Sequence, residues 1–452
     1  MASMTRLSRA EAPPSPALVA EVQGLARPLR GPADLDPLLE RIGDARYVLL
    51  GEASHGTSEF YTWRSQISRR LIVEKGFSFI AVEGDWPDCY QVDQFVKGRG
   101  PAGETARDVL HGFERWPTWM WANEEVVELV EWLRSHNAAQ PSARRVGLYG
   151  LDVYSLWDSL YAIMGYLQRK EPSALPAAWE AFRCFEPYGE DVQEYARASR
   201  FVPNSCEDEV VDLLQELRRR SGPSSAGESE DDREARFVAE QNGLVLQNAE
   251  AYYRAMVRGG PDSWNLRDSH MVETLDRLML QHGPDARAIV WEHNTHIGDA
   301  RFTDMAEQGE YNVGQLVRER HGDDGVVLVG FGSHRGRVIA GRRWEAPMES
   351  MVVPRAREGS WEDVVHRAVG RDAILVFKPD RASPEIMEPR GHRAIGVVYR
   401  PEYEHLGNYV PTILPRRYDA FLHLEETHAL HPLSGVRVEE RGETPETFPS
   451  GV

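Results

Sequence analysis

Short, continuously apolar runs alternate along this chain with longer stretches whose apolar residues recur at the helical period. The first run, residues 46–50, ends in Val48-Leu49-Leu50. Behind it Phe60, Trp63, Ile67 and Leu71 share one helical face, with Thr57 or Ser58 as the cap and Gly76 as the stop. A second run at 77–82 completes a βαβ unit whose crossover should be right-handed. Runs at 145–150, 288–291, 326–329, 373–377, 394–399 and 420–424 predict further strands, and short helices at 16–26 and 34–42 precede them all. Continuous rather than alternating apolarity marks strands buried on both faces. The last strands lack intervening helices, so a mostly parallel open α/β sheet with helices on both faces fits better than a closed barrel.

From residue 155 to about 281 the period is helical throughout, in segments 157–168, 176–185, 208–220 and 233–257. The Ser-, Gly- and acid-rich stretch 221–232 predicts an exposed loop. The expected organisation is one α/β catalytic core formed by 1–154 and 286–452, with 155–285 as a helical insertion or lid of the same domain. No internal repeat is visible.

Composition narrows the partners. With 52 basic against 71 acidic side chains the net charge is -19, a field that repels phosphate backbones and anionic membranes. The expected partner is a small molecule rather than nucleic acid or a membrane. Cys89, Cys184 and Cys206 are few, odd in number and outside any C-x-x-C spacing, so neither a disulfide framework nor a thiolate metal cage is expected. The first twenty residues carry Arg6, Arg9 and Glu11 and no apolar core of a leader, and no later run reaches the length of a membrane span. A cytoplasmic protein is the expectation.

Polar residues collect just past the ends of four predicted strands: Glu52 and His55, then Glu83, then Asp152, then His293 and His296. In an open α/β sheet these carboxyl ends are where ligands bind. One such residue would be a solvated cap; acid/base groups on four strands point to a shared active site. Glu52 and His55 lie on one tight turn, where the carboxylate can fix the imidazole tautomer or hold a water against it. Arg64, two helical turns beyond Thr57, can reach back to a carboxylate.

A serine nucleophile is not indicated. Gly51-Glu52-Ala53-Ser54-His55-Gly56 has one residue too many for a nucleophile elbow, and Ser54 is adjacent to His55. The string Gly330-Phe331-Gly332-Ser333-His334-Arg335-Gly336 superficially suggests a phosphate loop but is also off by one and lacks a following helix. Trp86, Trp116 and Trp119, together with Trp121, follow strand ends and serve equally as core or as the wall of a pocket for an apolar substrate. Asp152 and His334 are added to the substrate side by position.

The strings Gly51-Glu52-Ala53-Ser54-His55-Gly56-Thr57, Ala81-Val82-Glu83-Gly84-Asp85-Trp86 and Trp291-Glu292-His293-Asn294-Thr295-His296 resemble the erythromycin esterase family. So do Trp264-Asn265-Leu266-Arg267-Asp268 and Gly330-Phe331-Gly332-Ser333-His334, and the resemblance runs from about residue 42 to 430. It implies a hydrolase that opens the lactone of fourteen-membered macrolides without a covalent intermediate. His55 would activate water, Glu52 and Glu83 would position base and water with Arg64 in the same charged network, and His293 and His296 would complete the site. No cofactor is implied.

Two other readings stay open. The same histidines and glutamates could hold a divalent metal that generates hydroxide, although the spacing is not H-E-x-x-H. Alternatively the enzyme could tailor another ester, lactone or amide in secondary metabolism. A binding protein would not need so many titratable groups at strand ends. The oligomeric state is not readable.

Overall fold

The computed structural model describes residues 12–189, 192–199, 205–220, 229–378 and 382–436. Its centre is a nine-stranded sheet. In chain order the strands are β1 (Arg27–Pro28), β2 (Tyr47–Leu50), β3 (Phe79–Asp85), β4 (Gly147–Asp152), β5 (Ala288–Trp291), β6 (Val326–Gly341), β7 (Met348–Val353) and β8 (Ala373–Val376). Next, β9 (Arg390–Arg393) and β10 (Tyr409–Thr412) form a separate antiparallel pair, and β11 (Ala420–Thr427) returns to the main sheet.

Across the sheet the order is β1-β8-β11-β6-β2-β5-β3-β4, with β7 on the far end of β6. The six strands from β11 to β4 are parallel; β1/β8, β8/β11 and β6/β7 are antiparallel. This is the mostly parallel α/β sheet expected from the apolar runs. Leu50, Trp291 and Val82 stand in one register row across β2, β5 and β3. Whatever follows them in sequence therefore emerges together at one edge.

Both faces are covered, as continuous apolarity requires. Val48, Leu50, Ile80, Val82, Ile289 and Trp291 point to a core closed by α2 (Asp36–Ile42), α3 (Ser58–Lys75), α4 (Trp86–Val96), α5 (Ala106–Leu110) and α6 (Glu124–Ala138). The alternate residues Tyr47, Leu49, Phe79, Ala81, Ala288 and Val290 join a second core. The helix that opens the described chain, Pro16–Leu25, packs there.

The helical block that follows β4 comprises α7 (Leu156–Lys170), α8 (Leu175–Phe185), α9 (Val192–Ala198), α10 (Glu207–Arg220), α11 (Glu230–Arg258) and α12 (Asp262–His282). The helices α7 to α11 share a core of their own around Leu160, Phe185, Leu213, Leu246 and Tyr253. In contrast, α12 lays Met271, Val272, Leu275 and Leu278 on the sheet. Behind it come α13 (Asn294–Ile297), α14 (Val313–His321) and α15 (Trp361–Val369), the last two on the same face as α12.

Three expectations need correction. Cys184 and Cys206 form a disulfide that ties α8 to the chain just before α10. Counting cysteines and testing local spacing is blind to a pair brought together by helix packing; Cys89 alone is free, and buried. Residues 394–399 are not a strand, because their apolar side chains are buried against the β2 turn and the end of β6 through isolated bridges only, Ile395 to Ser54 and Val398 to Gly341. The strand expected over 326–329 continues to Gly341, so the glycine-rich string 330–336 is the middle of β6. Its Gly330 and Gly332 leave room for the Tyr418 and Phe421 rings, which a Cβ would strike. Finally, β7 was not anticipated; only two of its six residues are buried, too weak a pattern to read.

No described helix is long and apolar enough to cross a membrane. The readings made on residues 1–11, and on most of the 221–232 loop, lie outside the described residues.

Candidate active site

The turn after β2 is built by close backbone approach. A Cβ on Gly51 would collide with Asn294 Oδ1, and one on Gly56 with the Ile339 carbonyl of β6. Ser54 spends its hydroxyl on Thr57 within the turn, consistent with its having no role as a nucleophile. His55 is left at the edge, 6 % exposed, facing a pocket.

Glu52 fixes it there. Its Oε1 accepts from His55 Nδ1 at 2.9 Å and its Oε2 from Arg64 Nη2 at 2.6 Å. With the Nδ1 proton committed to a carboxylate, the neutral ring presents its lone pair at Nε2. Arg64, on α3, is fully buried, its guanidinium 4.4 Å from the Tyr61 ring and 4.7 Å from the Trp291 ring. The aromatic faces help to hold a charge that would otherwise be costly to desolvate.

A second charged group faces this one. Glu83 follows Val82 on β3, and its Oε2 accepts the His293 backbone N–H at 2.8 Å, while its Oε1 accepts from Arg267 Nη2 at 2.8 Å. Arg267 also forms a two-pronged pair with Asp152 at the end of β4, at 2.9 and 2.6 Å. His296 donates from Nδ1 to Asp268 at 3.0 Å, lies 3.4 Å from Glu83 Oε1 through Nε2, and stacks on Trp264 at 4.4 Å. Arg267, Asp268 and Trp264 all belong to α12, which crosses the carboxyl edge of the sheet.

These contacts set protonation. Burial opposes a charge on His296, but the Asp268 and Glu83 carboxylates prevail and push it up to about 10, so it is an imidazolium at neutral pH. Burial likewise opposes ionisation of Glu83, yet His296, His55 and Arg267 hold its carboxyl well below the usual range. His293 is the opposite case: burial, and then the neighbouring His55, push it well below the ordinary imidazole value, so it is neutral. Its Nδ1 lies 2.8 Å from the Thr295 hydroxyl and 3.3 Å from the Thr295 backbone N–H, which can only donate; with both bonds accepted at Nδ1 the proton sits on Nε2. That Nε2 is buried without a hydrogen-bond partner, in a ring 4.9 Å from the His55 ring.

The pocket over these groups has a cavity volume of about 100 Å³. His55, Glu83, Asp152, Arg267, His293 and His296 line it, and Phe113, Trp116, Trp121, Tyr154, Trp264 and Trp344 form an aromatic wall. Among the described residues, the hydroxyls on its lining belong to Thr118, Tyr154 and Thr295, with no serine or cysteine.

Of the residues singled out in the sequence, the structure brings together Glu52, His55, Arg64, Glu83, Asp152, His293 and His296, with Trp116 on the wall. It does not bring in three others. Trp86 faces the opposite core, stacked between Tyr90 and Tyr149. Trp119 is buried in the α3–α6 core, where a helical turn points it away from the pocket that Trp116 and Trp121 reach. His334 lies further along β6, stacked on His366 at 3.7 Å, and does not line the pocket. Arg267 and Asp268 were not singled out, although the Trp264–Asp268 string held both. As for a metal, Arg267 sits among the site's carboxylates, and among the described residues no three donors of this site converge within 4.8 Å. The donor set as arranged fits a guanidinium rather than a divalent ion.

A family profile described as erythromycin esterase matches residues 72–427. Erythromycin esterase type II of Escherichia coli is 23 % identical over 363 residues, covering 76 % of this chain and 84 % of that one. Among solved structures, a succinoglycan biosynthesis protein superposes with a TM-score of 0.73 at 19 % identity, over 92 % of this chain and 98 % of that one. A Bacillus cereus protein gives 0.72 at 18 %, over 92 % and 99 %. An erythromycin esterase mutant in its open conformation gives 0.63 at 16 % identity, over 88 % of this chain and 95 % of that one. At these identities the structural matches speak for the fold alone. The profile, by contrast, spans well over half of the sequence, and the chain belongs to the erythromycin esterase family.

Proposed function

We propose that the protein hydrolyses a carboxylic ester or lactone with water activated by His55, without a covalent intermediate. The observation that carries this reading is the Arg64–Glu52–His55 relay, which leaves an imidazole lone pair facing the pocket. His55 Nε2 takes a proton from water as the oxygen attacks the carbonyl carbon. The neutral His293 ring, which lines the pocket, offers its Nε2–H to the oxyanion that forms. Collapse breaks the acyl–oxygen bond, and the leaving alkoxide takes the proton from His55; water has been added and nothing else consumed. Glu83, pinned by Arg267 and by the His293 N–H, holds the His293 backbone in place, while Arg267 and the His296 imidazolium offset the carboxylates of Glu83, Asp152 and Asp268 around the developing charge. A positioned base contributes roughly 100- to 10,000-fold, and oxyanion donors a comparable factor.

The family and the E. coli relative make a fourteen-membered macrolide the leading substrate, and ring opening would inactivate such an antibiotic. A cavity of about 100 Å³ is smaller than a drug-sized pocket, which typically spans ~300–1,000 Å³. A macrolide therefore requires the aromatic wall to move aside. The same volume favours the second reading, a smaller ester, lactone or amide of secondary metabolism. Incubation with a macrolide and a panel of lactones and esters decides between them: the product gains the mass of one water. No turnover of a macrolide alongside turnover of a smaller ester selects the second reading. An acylated enzyme in quenched intact-mass spectra would overturn direct water attack.

A further inference from the structure

Away from the pocket, three histidines and a glutamate converge on one face of the sheet. His423 and Glu425 are two apart on β11, so they point to the same side. On the neighbouring β6, Ser333 pairs with Leu424 and Arg335 with Glu426, which places His334 beside Glu425 on that side too. Helix α15 covers this face and lowers His366 onto the group, its ring parallel to that of His334 at 3.7 Å. His366 Nδ1 lies 2.7 Å from Glu425 Oε1, and His423 Nε2 lies 3.5 Å from Glu425 Oε2.

The polar atoms here are poorly served. His334 Nδ1 and His423 Nδ1 are buried and make no hydrogen bond, and His423 Nε2 meets Glu425 Oε2 only at the long distance of 3.5 Å. A buried polar atom without a partner is costly, and two of them beside a long, strained pair in one cluster are not explained by packing. His334 Nδ1 or Nε2, one His366 nitrogen and one Glu425 oxygen all fall within 4.8 Å of one another. A tetrahedral ion with bonds of ~2.1 Å spaces its ligands about 3.4 Å apart, a contraction that side-chain rotation supplies.

We propose that His334, His366, His423 and Glu425 bind a divalent first-row transition-metal ion. Imidazole nitrogens with one carboxylate suit zinc, cobalt or nickel rather than the hard ions magnesium and calcium. With ligands drawn from β6, β11 and α15, the ion would staple the helix to the sheet, and none of the four lines the pocket around His55. The half-buried His366 side chain is the way in.

The test uses the full-length protein stripped with a chelator. Zn²⁺ titrated by calorimetry should bind at one equivalent, and Co²⁺ should give the visible absorption of a tetrahedral site. His366→Ala, at a partly exposed position that folding tolerates, should bind more weakly by about tenfold or more, as should His423→Gln. His55→Ala should bind as the parent does. Zn²⁺ should raise the melting temperature of the parent by more than that of His366→Ala at the same metal concentration. Absence of saturable binding in the parent, or His366→Ala binding as tightly as the parent, overturns the site.

Discussion

If Asp268 and Glu83 keep His296 protonated in the fold, raising the pH must unfold the protein more easily. The folded value is about 10, against an ordinary 6.5 in the unfolded chain. A group raised in this way stabilises fully below the unfolded value and loses its contribution as pH climbs through the folded one. Between these limits the unfolded chain gives up a proton that the native state keeps, a slope on the order of 1 kcal/mol per pH unit. From pH 7 to 8.5 that amounts to about 2 kcal/mol. The window stops short of the tyrosines and of Cys89, whose buried thiol is itself held up and would add to the fall at higher pH. Urea unfolding at half-unit pH steps measures it. Asp268→Asn removes the first of the two carboxylates and should flatten the slope, whatever it does to stability at pH 7. Stability independent of pH from 7 to 8.5 in the parent would refute the reasoning, as would an unchanged slope in Asp268→Asn.

Other expectations follow from the same contacts. Glu52→Gln leaves the buried Arg64 charge without its carboxylate and should cost about 3–5 kcal/mol in urea unfolding, less what the Tyr61 and Trp291 rings return; Arg64→Met combined with it should cost less than Glu52→Gln alone. His293→Phe keeps the ring volume but removes the Nε2 donor, and should lower kcat by roughly 100- to 1,000-fold with KM little changed. A large rise in KM at constant kcat would make His293 a binding residue instead. Gly56→Ala drives a methyl into the Ile339 carbonyl and should lower the melting temperature and activity together. Cys184→Ser opens a link between residues 22 apart and should cost about 3 kcal/mol of stability, detected as a matching loss when the parent is reduced.

What the sequence disclosed depended on range. The central strands were readable because four-residue runs such as Tyr47–Leu50 are buried on both faces, and that leaves an unbroken apolar signature. Glu52, His55, Glu83, His293 and His296 were readable for the same reason, since a residue just past such a strand can only emerge at its carboxyl edge. Arg267 and Asp268 were not, because their place depends on α12 crossing that edge 115 residues after Asp152, and no local pattern encodes a crossing. Nor could spacing sort the tryptophans: Trp86 and Trp116 both follow apolar runs, yet α4 turns one into the opposite core while the loop before α6 leaves the other on the pocket wall. His334 looked like a strand-end group only because β6 was expected to stop at Val329; the strand continues to Gly341 and carries it elsewhere.

The account rests on His55 as the base. The direct measurement is kcat/KM of His55→Ala against the parent on any ester or lactone that the parent turns over, with and without added imidazole. The relay predicts a fall of at least about 100-fold and partial recovery when imidazole occupies the space left by the ring. Parent-level activity in His55→Ala would contradict it.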